Sequence, residues 1–244
     1  MKQVVITGAA GGIGSVISQH FAANGYFVYA VDRNGDACRK LAASIGPEHC
    51  YPVVLDISDK KAVQDFAASL PQDFALDHLI SLAGRADEGE WQAFAQIDPQ
   101  VIENSIRINL IGHLLVTNAL YPFLKNHTED KSVTLISSIN AKGCFGLPVY
   151  SAAKAGLTGF MHGAVNTFGQ DNVRINVVSP GTVVTPATSA EPKDFTKLLH
   201  TTALNRFATP QDVAKLVWQI CNEFTAITGH DFVVDAGQLS NHGG

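Results

Sequence analysis

The chain has 244 residues, 46% of them hydrophobic and 16% charged, with 17 Lys and Arg against 22 Asp and Glu and a formal net charge of −5. Such a chain can bury a large core without disulfides or a structural metal, and its low charged fraction argues against disorder. The acidic balance argues against nucleic acid or an anionic membrane as the main partner.

The elements follow in order. Met1-Lys2-Gln3 leads at once into Val4-Val5-Ile6, a short strand-type run, with no signal-peptide hydrophobic region before it. A Gly-rich turn and a helix over residues 13–24 come next, then a second strand over 26–31 that ends at Asp32. Similar short runs recur at 51–55, 79–81, 133–137, 173–178 and 231–234, most of them separated by helix-like segments. Short apolar strands alternating with helices predict βαβ units and a parallel sheet buried on both faces. Seven of them predict a single α/β domain over residues 1–244, a Rossmann-type doubly wound fold with a seven-stranded parallel sheet and helices on both faces. The composition shifts only at residues 182–205, where Pro186 and Pro192 bracket polar residues. A connection that long reads as a substrate flap. The longest apolar stretch, residues 106–124, is interrupted by Arg107, Asn109, His113, Asn118 and Pro122, so no spanning helix is expected. The four cysteines, Cys38, Cys50, Cys144 and Cys221, form no CxxC pair and read as small apolar side chains in a reducing compartment. A soluble cytoplasmic protein is expected.

Thr7-Gly8-Ala9-Ala10-Gly11-Gly12-Ile13-Gly14 lies between the first strand and the first helix. Glycines allow close backbone approach to a pyrophosphate, and the helix N-terminus offers free N–H groups at a positive dipole end. The spacing is GxxxGxG rather than GxGxxG. Asp32 sits near the expected distance of about 20 residues beyond the glycines. Its carboxylate can accept from both ribose hydroxyls and would repel a 2′-phosphate, which favours NAD over NADP. Arg33 beside it works the other way, and a turn or cap ahead of Asn34-Gly35 is an alternative use of Asp32.

Tyr150 and Lys154 stand four apart, on one face of a helix that follows Pro148. A free phenol has a pKa of about 10 and is a poor base at neutral pH. A neighbouring ammonium and an oxidised nicotinamide would lower it and let the phenol exchange a proton with an alcohol or carbonyl. Ser137-Ser138 end a strand at the edge where open α/β sheets bind ligands. Either hydroxyl can hold a substrate oxygen or cap a turn.

This ordered set, with Asn176-Val-Val-Ser-Pro-Gly-Thr-Val-Val-Thr185 and Ile227-Thr-Gly-His-Asp-Phe-Val-Val-Asp-Ala-Gly237, resembles the short-chain dehydrogenase/reductases over essentially the whole chain. The resemblance implies that Tyr150 is the general acid/base, that Lys154 lowers its pKa and binds the nicotinamide ribose, and that Ser138 orients the substrate oxygen. It implies that Asn109 holds a proton-relay water. It makes Gly8, Gly12, Ile13 and Gly14 the phosphate turn, Asp32 the ribose contact, and Asp56 and Ile57 the adenine contacts. Ala83 and Gly84 supply backbone, and Val183 and Thr185 meet the carboxamide end. Two departures stand out. Ser81-Leu82-Ala83-Gly84 replaces the usual Asn-Asn-Ala-Gly, losing amides that stabilise the central sheet, and Ser138 lies one residue closer to Tyr150 than usual, where Ser137 has the common spacing.

Other residues read as structure. The nine histidines form no HExxH or other i, i+4 pair, so they are expected to be solvated or capping and no catalytic metal is expected. Trp91 and Phe94 are expected to anchor a loop in the core. Ala152, Ala153, Ala155, Gly156, Gly159 and Gly163 give the Tyr150 helix a thin side, for which packing within one subunit suffices, while the family resemblance implies packing between subunits of a homodimer or homotetramer. Lys142, Cys144 and Phe145 are candidates for the pocket wall. The expected function is NAD-dependent hydride transfer on a small secondary alcohol or ketone. The alternatives are an NADPH-linked ketoacyl-type reductase and a non-catalytic nucleotide-sensing or scaffold protein.

Overall fold

In a computed structural model, which describes residues 1–125, 129–143, 145–185 and 198–241, the strand-like runs pair into one parallel sheet. Its strands are β1 (Gln3–Thr7), β2 (Phe27–Asp32), β3 (Cys50–Val54), β4 (His78–Ser81), β5 (Lys131–Ile136), β6 (Val173–Pro180) and β7 (Asp231–Val234). They stand in the order β3-β2-β1-β4-β5-β6-β7. The chain therefore winds outward from β1 to β3, returns to dock β4 on the other side of β1, and winds outward again to β7. The reversal lies between β1 and β4, paired from Val4↔His78 to Thr7↔Ser81. A crevice opens outside the carboxyl ends of the strands at such a reversal.

Side chains alternate along a strand, so each strand feeds two cores. Val4 and Ile6 enter one cluster with Ile17, Phe21, Leu41, Val213 and Val217. These come from α1 (Gly14–Ala23), α2 (Gly35–Ile45) and α7 (Pro210–Asn222). Val5 enters the other with Val63, Val116, Leu120, Leu157 and Met161. Those belong to α3 (Lys60–Ser69), α5 (Gly112–Leu124) and α6 (Pro148–Gln170); α4 (Pro99–Ile106) and a last short α8 (Gln238–Asn241) complete the set. Helix starts follow local chemistry. Asn34, Asp59 and Asp98 cap α2, α3 and α4 through their side chains, and Thr209 with Asp212 forms a reciprocal capping box across Pro210 at the start of α7. Cys38, Cys50 and Cys221 are buried free thiols, and Cys144 lies outside the described residues. No helix among the described residues is long and apolar enough to cross a membrane.

Two of the histidines depart from the solvated or capping role expected of them, because His78 and His113 are wholly buried. Each sits on an element covered on both sides, where a polar ring survives only if bonded. Tyr26 donates its O–H to Asn222 Oδ1 (2.8 Å), so its oxygen accepts from His78 Nε2–H (3.0 Å) and His78 Nδ1 accepts from Ser132 (2.8 Å). Burial first, then the charges of Arg174, Lys2 and Lys131, hold this imidazole at a pKa of about 3. An unfolded histidine titrates near 6.5, so below that pH the unfolded chain binds a proton the folded one refuses and stability falls as the solution is acidified. Urea unfolding at pH 7.5 and 5.0 should show a loss of about 2 kcal/mol from His78. The loss should shrink in His78→Gln; an unchanged loss would assign the acid sensitivity to other groups.

Candidate active site

The crevice at the β1/β4 reversal is a cleft of about 530 Å³. At one end β1 runs out at Thr7, whose Oγ1 accepts from the backbone N–H groups of Leu82 (3.0 Å) and Ala83 (3.2 Å). That draws the exit of β4 against the Gly-rich turn. Gly8 has φ 68°, and a Cβ there would stand 2.8 Å from Ala83 Cα. A Cβ on Gly12 would lie 2.5 Å from Thr185 Cβ. Ile13 stands at the N-cap of α1 without a side-chain cap, and in the first turn the Ser15 N–H is taken by the Gly11 carbonyl at 2.9 Å. Gly8, Gly12, Ile13 and Thr185 line the cleft. Gly14 does not; it packs behind the turn, where a Cβ would strike the Gly8 carbonyl.

Farther out, Asp32 and Arg33 face the same cleft. Asp32 Oδ2 accepts from Ala10 N (3.0 Å) and Oδ1 from Asn34 N (2.9 Å). The carboxylate thus both caps the β2 exit and clamps the glycine turn. Asp56 accepts from the Ser58 backbone (2.9 Å) and hydroxyl (2.7 Å), and it lines the cleft with Ile57. Val183, bridged to Ala208, lines the opposite side.

At the inner end, Tyr150 is the third residue of α6. Leu147 at the N-cap turns left-handed with φ 54° and supplies no side-chain cap. Lys154 Nζ lies 5.8 Å from the Tyr150 ring centroid and donates to the Ile136 carbonyl (2.9 Å). The two serines have different partners. Ser137 donates to the Lys154 carbonyl (2.9 Å), pinning α6 to β5, whereas Ser138 reaches the Tyr150 phenol and Asn140. Burial pushes the Tyr150 phenol up to about 12, with the Ser138 hydrogen bond lowering it and the Glu90 charge raising it. Burial alone lowers Lys154 to about 7. The ammonium was expected to pull the phenol down; in the protein by itself desolvation is the largest influence on both groups.

Asn109 stands behind the cleft wall rather than in it. A single π-type turn at Arg107–Ile111 joins α4 to α5 and carries its side chain inward. Nδ2 donates to the Arg85 (2.9 Å) and Ser105 (3.0 Å) carbonyls, which assigns the amide orientation. Oδ1 is therefore aimed at Gly84, buried, and without a partner among the described residues. Lys154 Nζ lies 3.5 Å from where a Gly84 Cβ would be. Gly84 and Ala83 line the cleft at this point.

Several expectations are corrected here. At Ser81-Leu82, where the usual amides are missing, Ser81 Oγ pairs with His113 Nδ1 at 2.7 Å and ties β4 to α5. Burial and the Lys154 charge keep that imidazole well below its ordinary pKa. Trp91 and Phe94 are 60% and 66% exposed rather than core anchors, because Glu90 and Ile97 occupy the inward positions of this loop. Lys142 turns to Asp231 on β7 (2.6 Å), and neither it nor Phe145 lines the cleft. Cys144 and residues 186–197 of the expected flap lie outside the described residues. On α6, a Cβ added to Gly156 would stand 2.8 Å from Leu110 Cδ2, so that glycine packs within the subunit, but a Cβ on Gly159 or Gly163 would meet nothing within 4 Å among the described residues. Packing inside one subunit does not account for them. Ser105 and Glu90 have no signal in the sequence, where only their separate polar types are visible.

These residues fit a nicotinamide dinucleotide. The glycine turn admits a pyrophosphate where a Cβ would obstruct, the Asp32 carboxylate suits ribose hydroxyls, and the buried Asn109 oxygen beside Lys154 suits a bridging donor. Comparison with known proteins agrees. A family model described as Enoyl-(Acyl carrier protein) reductase matches residues 8–238. A short-chain type dehydrogenase/reductase of Sinorhizobium fredii is 30% identical, covering 98% of this chain and 97% of its own. A 3-oxoacyl-[acyl-carrier-protein] reductase of Thermotoga maritima is 29% identical, with 97% of each chain covered. The crystal structure of a short-chain dehydrogenase/reductase family oxidoreductase from Burkholderia thailandensis superposes with a TM-score of 0.89 at 33% identity, over 98% of this chain and 93% of that one.

Proposed function

Because the chain belongs to the short-chain dehydrogenase/reductase family, we propose that this oxidoreductase is NAD-dependent and interconverts a small secondary alcohol and its ketone. The observation that carries the reading is the Ser138–Tyr150–Lys154 group, gathered at one end of a cleft whose other end is the glycine turn. A bound nicotinamide supplies or accepts the hydride. Ser138 holds the substrate oxygen, and Tyr150 gives that oxygen a proton or takes one from it. Lys154, a buried cation when protonated, favours the phenolate and binds the ribose, and Asn109 Oδ1 orients a water beside it. The glycine turn carries the pyrophosphate, with Asp56 and Ile57 at the adenine and Val183 and Thr185 at the carboxamide. The same reading makes residues 1–244 one cytoplasmic domain with a substrate flap at 182–205, and pairs the uncovered Gly159 and Gly163 face with another subunit in a homodimer or homotetramer.

Asp32 favours NAD, since a second negative group beside it would be repelled, and Ala9-Ala10-Gly11 offers no cation to a 2′-phosphate. Arg33 in the same cleft supports a second reading, an NADPH-linked ketoacyl-type reductase. Titration with NADH and NADPH, followed by nicotinamide fluorescence, separates the two. NADH should bind more tightly, and Asp32→Ala should weaken it about tenfold and relax discrimination, as expected for two lost ribose hydrogen bonds. Tighter NADPH binding would overturn the NAD assignment, and binding of neither would favour the non-catalytic alternative. Turnover is then measured with cyclohexanol, 2-butanol and 3-hydroxybutyrate.

A further inference from the structure

Glu90 lies 60 residues from Tyr150 and is 2% exposed. It belongs to a single 3-10 turn, Glu88–Trp91, in the loop that follows β4. Its Oε2 accepts from the backbone N–H of Tyr150 at 2.8 Å, and its Oε1 accepts from the Ser105 hydroxyl at 2.6 Å. Both partners are neutral donors, and both lengths are those of hydrogen bonds to a charged acceptor.

Each bond answers a local need. The first turn of α6 has no side-chain cap of its own, and Pro148 has no N–H to offer, so the Tyr150 N–H is an orphan donor at the positive end of a 23-residue helix. A carboxylate delivered from another segment satisfies it. On the other arm, the Ser105 oxygen faces Asn109 Nδ2 at 3.4 Å, while that nitrogen also donates to the Ser105 carbonyl. Every donor in the series points toward Glu90: the Asn109 amide to Ser105, Ser105 to the carboxylate, Tyr150 to the carboxylate. Reversing the Asn109 amide would set its oxygen against two carbonyls.

We propose that Glu90 is a positioning residue of the active site, its one carboxylate holding the main chain at Tyr150 and, through Ser105, the carboxamide of Asn109. It thereby couples α6 to the π-type turn between α4 and α5, so that the two groups flanking Lys154 keep one relative placement. The inference rests on the roles proposed above for Tyr150 and Asn109.

Glu90→Gln tests it. Glutamine has one acceptor oxygen, so its NH2 opposes a donor on one of the two arms. Turnover of whichever probe alcohol the wild type oxidises should fall about tenfold or more, as small misplacements of reacting groups do. The NADH dissociation constant should stay within about threefold. Among the described residues the charged groups facing the phenol are Lys154 and Glu90, and removing the negative one should move the basic limb of the rate profile down by about half a pH unit. Ser105→Ala keeps the carboxylate on Tyr150 and cuts only the Asn109 arm. It should lower turnover by about threefold with the limb in place, and it serves as the test if Glu90→Gln does not fold. Unchanged turnover and limb in Glu90→Gln would overturn the proposal, as would losses of cofactor affinity and thermal stability in step with turnover while the limb stays put. In Ser105→Ala alone, wild-type turnover would overturn it. If the wild type binds NADH but oxidises none of the alcohols, the proposed reaction fails on its own. The tyrosinate absorbance of wild type minus Tyr150→Phe, titrated in the presence of NAD, then reads the effect of Glu90→Gln without a substrate.

Discussion

Tyr150→Phe is expected to cut turnover by about 10²–10⁴-fold, the usual contribution of a positioned acid/base. NADH binding should remain within about twofold, because the ring keeps its place in α6 and loses only its hydroxyl. The Tyr150 side chain is half-buried on the cleft wall, its phenol bonded to Ser138 and pushed up to about 12 by desolvation. It is therefore a neutral acid at neutral pH in the protein alone, and proton donation to a forming alkoxide suits it directly. Acting as a base in alcohol oxidation requires added positive charge nearby, so the oxidative rate should rise with pH where the reductive rate does not. Steady-state rates in both directions, with fluorescence titration of NADH, check these points. A variant that retains a tenth or more of the wild-type rate would remove Tyr150 from the proton transfer.

Lys154→Met is expected to lower turnover comparably and, unlike Tyr150→Phe, to weaken cofactor binding. It also carries a distinct stability signature. Folded Lys154 titrates at about 7 because it is buried, whereas an unfolded lysine titrates near 10.4. Between those values the unfolded chain holds a proton the folded one has released, so stability rises with pH across that window. The ammonium's desolvation costs about 4 kcal/mol at pH 7. Above about 8.5 the buried thiols Cys50 and Cys221, both raised to about 11, act in the opposite direction, since the unfolded chain then loses protons that the folded one keeps. The informative comparison therefore runs from pH 7 to 8.5. The wild type should gain about 2 kcal/mol relative to Lys154→Met over that range. Parallel urea curves for the two proteins would place the lysine in water rather than in the core. The buried cation is then a cost to folding retained at the site, as stabilising charge beside a reacting group commonly is.

Much of the architecture was legible along the chain, and for a local reason. A strand buried on both faces must be apolar at consecutive positions, so Val4-Val5-Ile6 announces itself without knowledge of its neighbours. A turn that must admit a pyrophosphate must lack side chains, which makes the glycines of residues 8–14 readable as spacing. Tyr150 and Lys154 share a helical face because 3.6 residues make a turn. Assigning roles to Asn109 and Asp56 required family resemblance, because neither has a local pattern of its own.

Contacts between distant segments depend on topology, which no window of sequence reports. Ser137 and Ser138 are adjacent and equally polar, and only the packing of α6 on β5 gives one to the Lys154 carbonyl and the other to the phenol. Ser81 and His113, 32 residues apart, meet because β4 lies under α5, and they tie the two elements together there. Trp91 and Phe94 face water because a carboxylate on the same loop has a helix end to satisfy. The sequence by itself determined the sheet, the glycine turn and the Tyr150–Lys154 pair, since each is written in short-range periodicity. Only the tertiary structure decided which serine meets the phenol, that Ser81 pairs with His113, and that Glu90 joins Tyr150 to Asn109, since each is a bond between groups that chain order keeps apart.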